Sequence, residues 1–176
     1  AKIVSTENPA TELPSGEAGE LLIKGPTVMQ GYFGNEVGTK EVLSKDGWLR
    51  TGDVAHLDEN GFIVIVDRIK DMILTAGFNI YPAELEHVLA SHPDVAMVAV
   101  GPIPDEMKGE LAKAYVVLKQ DTSPSVIELL AFCRERLAAY KIPRDIQFIA
   151  DLPKTSTGKI MRRALINLHD AAKTNH

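Results

Sequence analysis

Asp67-Arg68-Ile69-Lys70-Asp71 is the stretch on which the reading of this chain turns, because the hydrophobic pattern changes character across it. Just before it, Phe62-Ile63-Val64-Ile65-Val66 is a β-branched and aromatic run entered from the turn residues Asp58-Glu59-Asn60-Gly61. With Val54-Ala55-His56-Leu57 on the other side of that turn, the pair predicts a β-hairpin. Further back, Glu20 to Lys24 predicts a short strand between Gly19 and Gly25-Pro26, and residues 36–44 predict a short helix that Gly38 weakens. Residues 1–18 carry Asn8-Pro9 and Pro14-Ser15-Gly16 and read as a surface hairpin or loop.

Beyond the pivot, strands alternate with helices. Met72-Ile73-Leu74 is apolar and Gly77 interrupts it. Pro82 then opens a helix to about His92, with Glu84 and Glu86 near its start, where negative charge suits the helix dipole. Val95 to Val100 predicts a strand ending at Gly101-Pro102, and Ala112 to Lys119 another. Ser123-Pro124 is expected to cap a helix to about Ala138, whose Val126, Leu130, Cys133 and Leu137 share one face. Ile146 to Ile149 is a third short strand, and a last helix runs from Ile160 to Ala172. This second part is expected to be a compact α+β domain of about a hundred residues.

The totals set limits on function. Of 176 residues 45% are hydrophobic and 24% charged, the balance of a soluble globular protein. No apolar run approaches the roughly 20 residues of a spanning helix. A single cysteine, Cys133, excludes an internal disulfide and a cysteine-based metal site, and fits a reducing compartment such as the cytoplasm. His87 and His92 are five apart, off the i, i+4 spacing of a helical metal pair, so no metal site is expected. Net charge is −5, yet from Arg134 to Arg163 eight Lys/Arg face three acids, which puts +5 there and −10 elsewhere. That local excess fits a phosphate-bearing small ligand, and a solvated surface fits it equally. The acidic total argues against nucleic acid. The polar run Ala1 to Glu17 has neither an initiator Met nor a signal-peptide core, and reads as a cut end.

Three stretches could carry chemistry. In Gly47-Trp48-Leu49-Arg50-Thr51-Gly52-Asp53, glycine lets a ligand approach the backbone and Asp53 can accept hydrogen bonds from vicinal hydroxyls; a turn aspartate capping its own loop has the same sequence. Arg68 offers planar donors for the same hydroxyls, or an ordinary surface ion pair. In Pro153-Lys154-Thr155-Ser156-Thr157-Gly158-Lys159-Ile160-Met161-Arg162-Arg163, Lys159 is a flexible cation beside a glycine. That stretch is no P-loop: the earlier glycine is missing and Ile160 stands where Ser or Thr belongs.

Together, in this order and spacing, the three stretches resemble the C-terminal signatures of the adenylate-forming ligase superfamily, which includes acyl-CoA synthetases, luciferases and peptide-synthetase adenylation domains. Asp67 to Leu74 followed by Gly77-Phe78-Asn79-Ile80-Tyr81-Pro82 looks most like fatty acyl-CoA ligases. The resemblance implies an α+β chain: a β-rich N-terminal remnant of a distorted β-barrel subdomain over 1–69, then a mobile α+β lid over 70–176 with a short central sheet flanked by helices. It implies that Asp53 and Arg68 bind the ribose of ATP and acyl-AMP, that Lys70 is the hinge, and that Lys159 serves adenylation. Gly77 and Phe78 would line the tunnel for the thiol arm of coenzyme A, whose phosphates Lys141, Arg144, Arg162 or Arg163 could meet. ATP, Mg2+ and coenzyme A are the implied cofactors, and a carboxylic acid and a missing N-terminal domain the implied partners. The superfamily's pyrophosphate loop, its aromatic segment ending in Thr-Glu and its acyl pocket are not found in this sequence, so the chain is expected to be an inactive piece of an enzyme. An aryl acid remains open as substrate. So does a non-catalytic module that binds a nucleotide, a carrier protein or a regulatory partner.

Overall fold

The computed structural model describes the backbone of residues 1–174 and the side chains of residues 1–170. The chain divides into two compact units, Ala1–Lys70 and Asp71–His176. The first contains β1 (Lys2–Val4), β2 (Gly19–Ile23), a helix α1 (Glu36–Val42), β3 (Leu49–Leu57) and β4 (Ile63–Arg68). These four strands form an antiparallel sheet in the order β1-β2-β3-β4. The hairpin expected on either side of Asp58 to Gly61 is β3-β4. Residues 1–18, expected as a surface hairpin or loop, do not lie wholly at the surface: β1 pairs with β2, and Ile3 and Val4 are buried, because a β-branched pair gains by covering apolar surface at the sheet end.

Ile3, Leu21 and Ala55 form the small core of this unit, with Leu13, Ile23 and Leu57 against it. The barrel of which this segment is expected to be a remnant is not closed among the described residues. β1 pairs only with β2 and β4 only with β3, so the sheet has two open ends. Helix α1 buries none of its residues and is held by its cap, Asn35 accepting from the Gly38 amide at 2.9 Å.

The second unit contains β5 (Ile73–Thr75), β6 (Phe78–Ile80), α2 (Pro82–Ala90), β7 (Val95–Asp105), β8 (Gly109–Leu118), α3 (Val126–Arg134), β9 (Asp145–Phe148) and α4 (Leu165–Thr174). Its sheet runs β6-β5-β8-β7, all antiparallel, with β9 added parallel to β8. Alternation along β8 creates two cores. Ala112, Ala114 and Val116 face Leu85 and Leu89 of α2 and Leu129 and Cys133 of α3. Tyr115 faces the other way, against Leu165 of α4, with Ala99 and Leu152.

Several predicted boundaries move. β7 does not end at Gly101-Pro102 but continues to Asp105. As an edge strand it tolerates a proline, and Gly101 is needed where it stands: a Cβ there would come within 3.0 Å of Leu165 Cδ1, so its absence lets α4 lie close. Helix α3 is capped by Ser125 rather than Ser123-Pro124. Ser125 and Glu128 form a reciprocal capping box, and the helix ends at Arg134 instead of Ala138. The last helix begins at Leu165, not Ile160, because the preceding residues form a hairpin loop and a single 3-10 turn, Arg162–Ala164. No helix among the described residues is long and apolar enough to cross a membrane.

Candidate functional site

Asp53 is presented by a bulge. Leu22 pairs with Arg50 and Glu20 with Val54, so two steps along β2 correspond to four along β3, and Thr51-Gly52-Asp53 stands out of register. Gly52 makes the bulge affordable at φ 72°, a left-handed value that side chains resist. Thr51 locks it: its hydroxyl donates to the Leu21 carbonyl at 2.9 Å and accepts from the Asp53 amide at 3.0 Å. Asp53 is in cross-strand register with Arg68 of β4, and the Arg68 Nε lies 3.3 Å from Asp53 Oδ1. The pair is partly exposed, at 53% for the arginine side chain and 34% for the aspartate, so it is cheap to open. Such a pair can turn donors and acceptors toward a diol.

Lys70 lies in a one-turn 3-10 helix, Ile69–Asp71, within which the two units divide. Its side chain is exposed and has no ion-pair partner among the described residues. Gly77 is the second residue of the tight β5-β6 turn, following Ala76, with φ of 50° at Ala76 and 86° at Gly77. Two successive positive φ values mark a type I′ turn, which explains the glycine locally, and nothing lies within 4 Å of where its Cβ would be. Phe78 is 54% exposed and stacks on Tyr140 with ring centroids 4.8 Å apart.

The Lys159 loop is a small hairpin. Lys154 bridges Ile160, the Gly158 amide donates to the Thr155 carbonyl at 2.9 Å, and the Thr155 amide to the Lys159 carbonyl at 2.7 Å. Gly158 sits at φ 82°, giving a three-residue turn closed by a glycine bulge. The Thr155 hydroxyl also accepts from the Lys159 amide at 3.1 Å. The backbone beside Lys159 is thus fixed on both sides, while its side chain is exposed and its ammonium has no partner among the described residues.

Of the eight cations between Arg134 and Arg163, four are paired. Lys141 holds Glu84 at 2.7 Å, Arg136 holds Glu135 at 2.9 Å, and Lys154 holds Asp151 at 2.6 Å. Arg162 grips Glu86 through Nη2 at 2.5 Å and Asp71 through Nη1 at 3.4 Å. The hydrogen bond from Lys154 keeps the Asp151 carboxyl below the ordinary range, helped by the Leu152 amide. Lys141 and Arg162 are therefore structural cations, whereas Arg134, Arg144, Lys159 and Arg163 have no ion-pair partner among the described residues.

Sequence reasoning missed the Thr51 lock and the partners of Arg162. The first had a signal, since a hydroxyl before Gly-Asp suits a bulge. The second had none, because its partners lie 76 and 91 residues away. Among the described residues no group of three or more His, Cys, Asp or Glu side chains is placed to hold a metal.

The chain is similar to known proteins in sequence and in fold. Residues 84–159, ending on Lys159 itself, match the AMP-binding enzyme C-terminal domain. The chain is 48% identical over 165 residues to a long-chain-fatty-acid–CoA ligase of Escherichia coli O6:H1, covering 94% of this chain and 29% of that protein. It is 44% identical over 168 residues to 4-coumarate–CoA ligase-like 4 of Oryza sativa, covering 96% and 30%. A solved structure of o-succinylbenzoate CoA synthetase from Bacillus subtilis, in complex with its acyl-adenylate intermediate, superimposes with a TM-score of 0.83 at 41% identity, covering 93% of this chain and 33% of that one. The chain thus spans about 30% of the length of the curated relatives it matches.

Proposed function

Because the chain belongs to the adenylate-forming ligases and carries their AMP-binding C-terminal domain, we propose that it serves an AMP-forming acid–CoA ligase acting on a medium- or long-chain fatty acid. In such an enzyme a carboxylate and Mg-ATP give acyl-AMP and pyrophosphate, and coenzyme A then displaces AMP to give the thioester. Asp53 and Arg68 open their mutual ion pair to hold the ribose hydroxyls through both steps. Lys159 supplies the first step. The attacking carboxylate and the α-phosphate are both anionic, and a cation where they meet offsets the repulsion and the charge that develops. Asp71–His176 then pivots about Lys70, Lys159 leaves, and the β5-β6 turn with Gly77 and Phe78 flanks the incoming thiol arm.

The observation that carries this reading is Lys159 itself: a loop rigid in its backbone, presenting an exposed ammonium with no partner among the described residues. A working place in the cytoplasm goes with it. On this reading the 176-residue chain does not turn over alone, since the relatives are about three times as long. The rice relative's name supports a second reading, an aryl acid such as a cinnamate. A panel of acids offered to the full-length protein, scored by pyrophosphate release, decides between them. Highest kcat/KM on acids of eight or more carbons is expected, and a preference for aryl acids overturns the fatty-acid assignment. No release with any acid overturns the ligase reading.

A further inference from the structure

The Lys159 loop stands between two firm points, Leu152 and Leu165, both in the core of the second unit. None of the residues from Pro153 to Ala164 is fully buried, so the loop adds little to the core that would fix it. Its upstream side is tied by Lys154 to Asp151 and by the Met161 amide to the Pro153 carbonyl at 2.8 Å, both within the loop's own stem. On the downstream side the Arg162 side chain ties it to the rest of the unit. Arg162 donates from Nε to Glu86 Oε1 at 3.1 Å, from Nη2 to Glu86 Oε2 at 2.5 Å, and from Nη1 to Asp71 Oδ2 at 3.4 Å.

Both acceptors are well chosen anchors. Glu86 is on α2, and its Oε1 also accepts from the Val100 amide at 2.9 Å, so it is pinned to β7. Asp71 is the first residue of the second unit, immediately after Lys70. Three mostly buried charged side chains, 26%, 18% and 24% exposed, share one two-pronged guanidinium, a geometry that resists swivelling. Removing that cation would leave two carboxylates facing each other with less charge to balance them, and the loop free to sway.

We propose that Arg162 is a positioning residue for Lys159: by gripping Glu86 and Asp71 it sets the pose of the loop three residues upstream and links that pose to the residue at the pivot. The inference rests on the assignment of Lys159 to adenylation. An error of an ångström at the ammonium lowers the adenylation rate without touching the thiol step, in which that ammonium takes no part.

The test uses the full-length protein carrying Arg162→Gln, Arg162→Lys, Asp71→Asn, Lys159→Ala, and the Arg162→Gln/Lys159→Ala pair. Arg162→Gln is expected to lower kcat for acyl-AMP formation by about tenfold or more, with KM for the acid little changed and thioester formation from supplied acyl-AMP spared. Arg162→Lys recovers part of the loss. Asp71→Asn, which keeps shape and removes one anchor, shows the same half-reaction signature more weakly and serves if Arg162→Gln fails to fold. In the Lys159→Ala background Arg162→Gln adds nothing further. An additive loss in that background, or equal loss in both half-reactions, overturns the positioning role. So does an unimpaired Arg162→Gln beside a crippled Lys159→Ala. Full adenylation by Lys159→Ala alone overturns instead the assignment on which this inference stands.

Discussion

Cys133 has no exposed surface, and burial between α3 and the sheet pushes its thiol up to about 11, against the weaker pull of Arg136 and Arg134. A thiol so placed is neither nucleophile nor redox sensor. The folded protein at pH 8 is expected to resist maleimide and to react stoichiometrically once unfolded, and fast labelling of the folded chain would contradict the burial. Asp53 is the opposite case, partly exposed and poised on a bulge with Arg68 across from it. In the full-length protein Asp53→Asn is expected to raise KM for ATP by about tenfold, the scale of one charge-assisted hydrogen bond, with the unfolding midpoint little moved. Asp53, Arg68 and Lys159 could be singled out as candidates because motif residues announce themselves in one dimension. Their surroundings were not legible. Arg162 reads as one of several basic residues until folding brings Asp71 and Glu86 to it.

At the scale of elements, the strands around Asp67 and the helix from Pro82 followed directly from β-branched runs and from a proline at a helix start. The errors were at ends, where tertiary packing outweighs local preference. Gly101-Pro102 looks like a stop, yet β7 runs on because an edge strand can spare an amide and α4 needs the space above Gly101. Ser125 and Glu128 carried a cap signature three residues apart, hidden behind the more conspicuous Ser123-Pro124. Ser125→Ala is expected to lower stability by about 1 kcal/mol in urea unfolding, and an unchanged midpoint would show the cap idle. Hydrogen bonds from Ser125, amide first and hydroxyl second, hold the Glu128 carboxyl below the usual range. A carboxyl lowered in the fold stabilises fully above its ordinary value. That contribution therefore fades as pH falls from the usual glutamate range through the lowered folded value, and wild type should lose more stability over that window than Ser125→Ala. In the core of the second unit, Leu85→Ala is expected to cost about 2 to 5 kcal/mol.

At the scale of the whole molecule, two compact units meet within a single 3-10 turn that holds Lys70. The hydrophobic pattern changes character across Asp67 to Asp71, the same stretch in which the two units divide. The number of strands in the first unit's sheet was not visible in the sequence, because β-branched runs specify strands and do not count how many neighbours complete a barrel. What the account asks of the molecule is that one cation serve one half-reaction and stay out of the other. Lys159→Ala in the full-length protein, assayed separately for acyl-AMP formation and for thioester formation from supplied acyl-AMP, tests this most directly. A loss of about 10²-fold or more in the first with the second nearly intact is the predicted result, and an equal loss in both would contradict it.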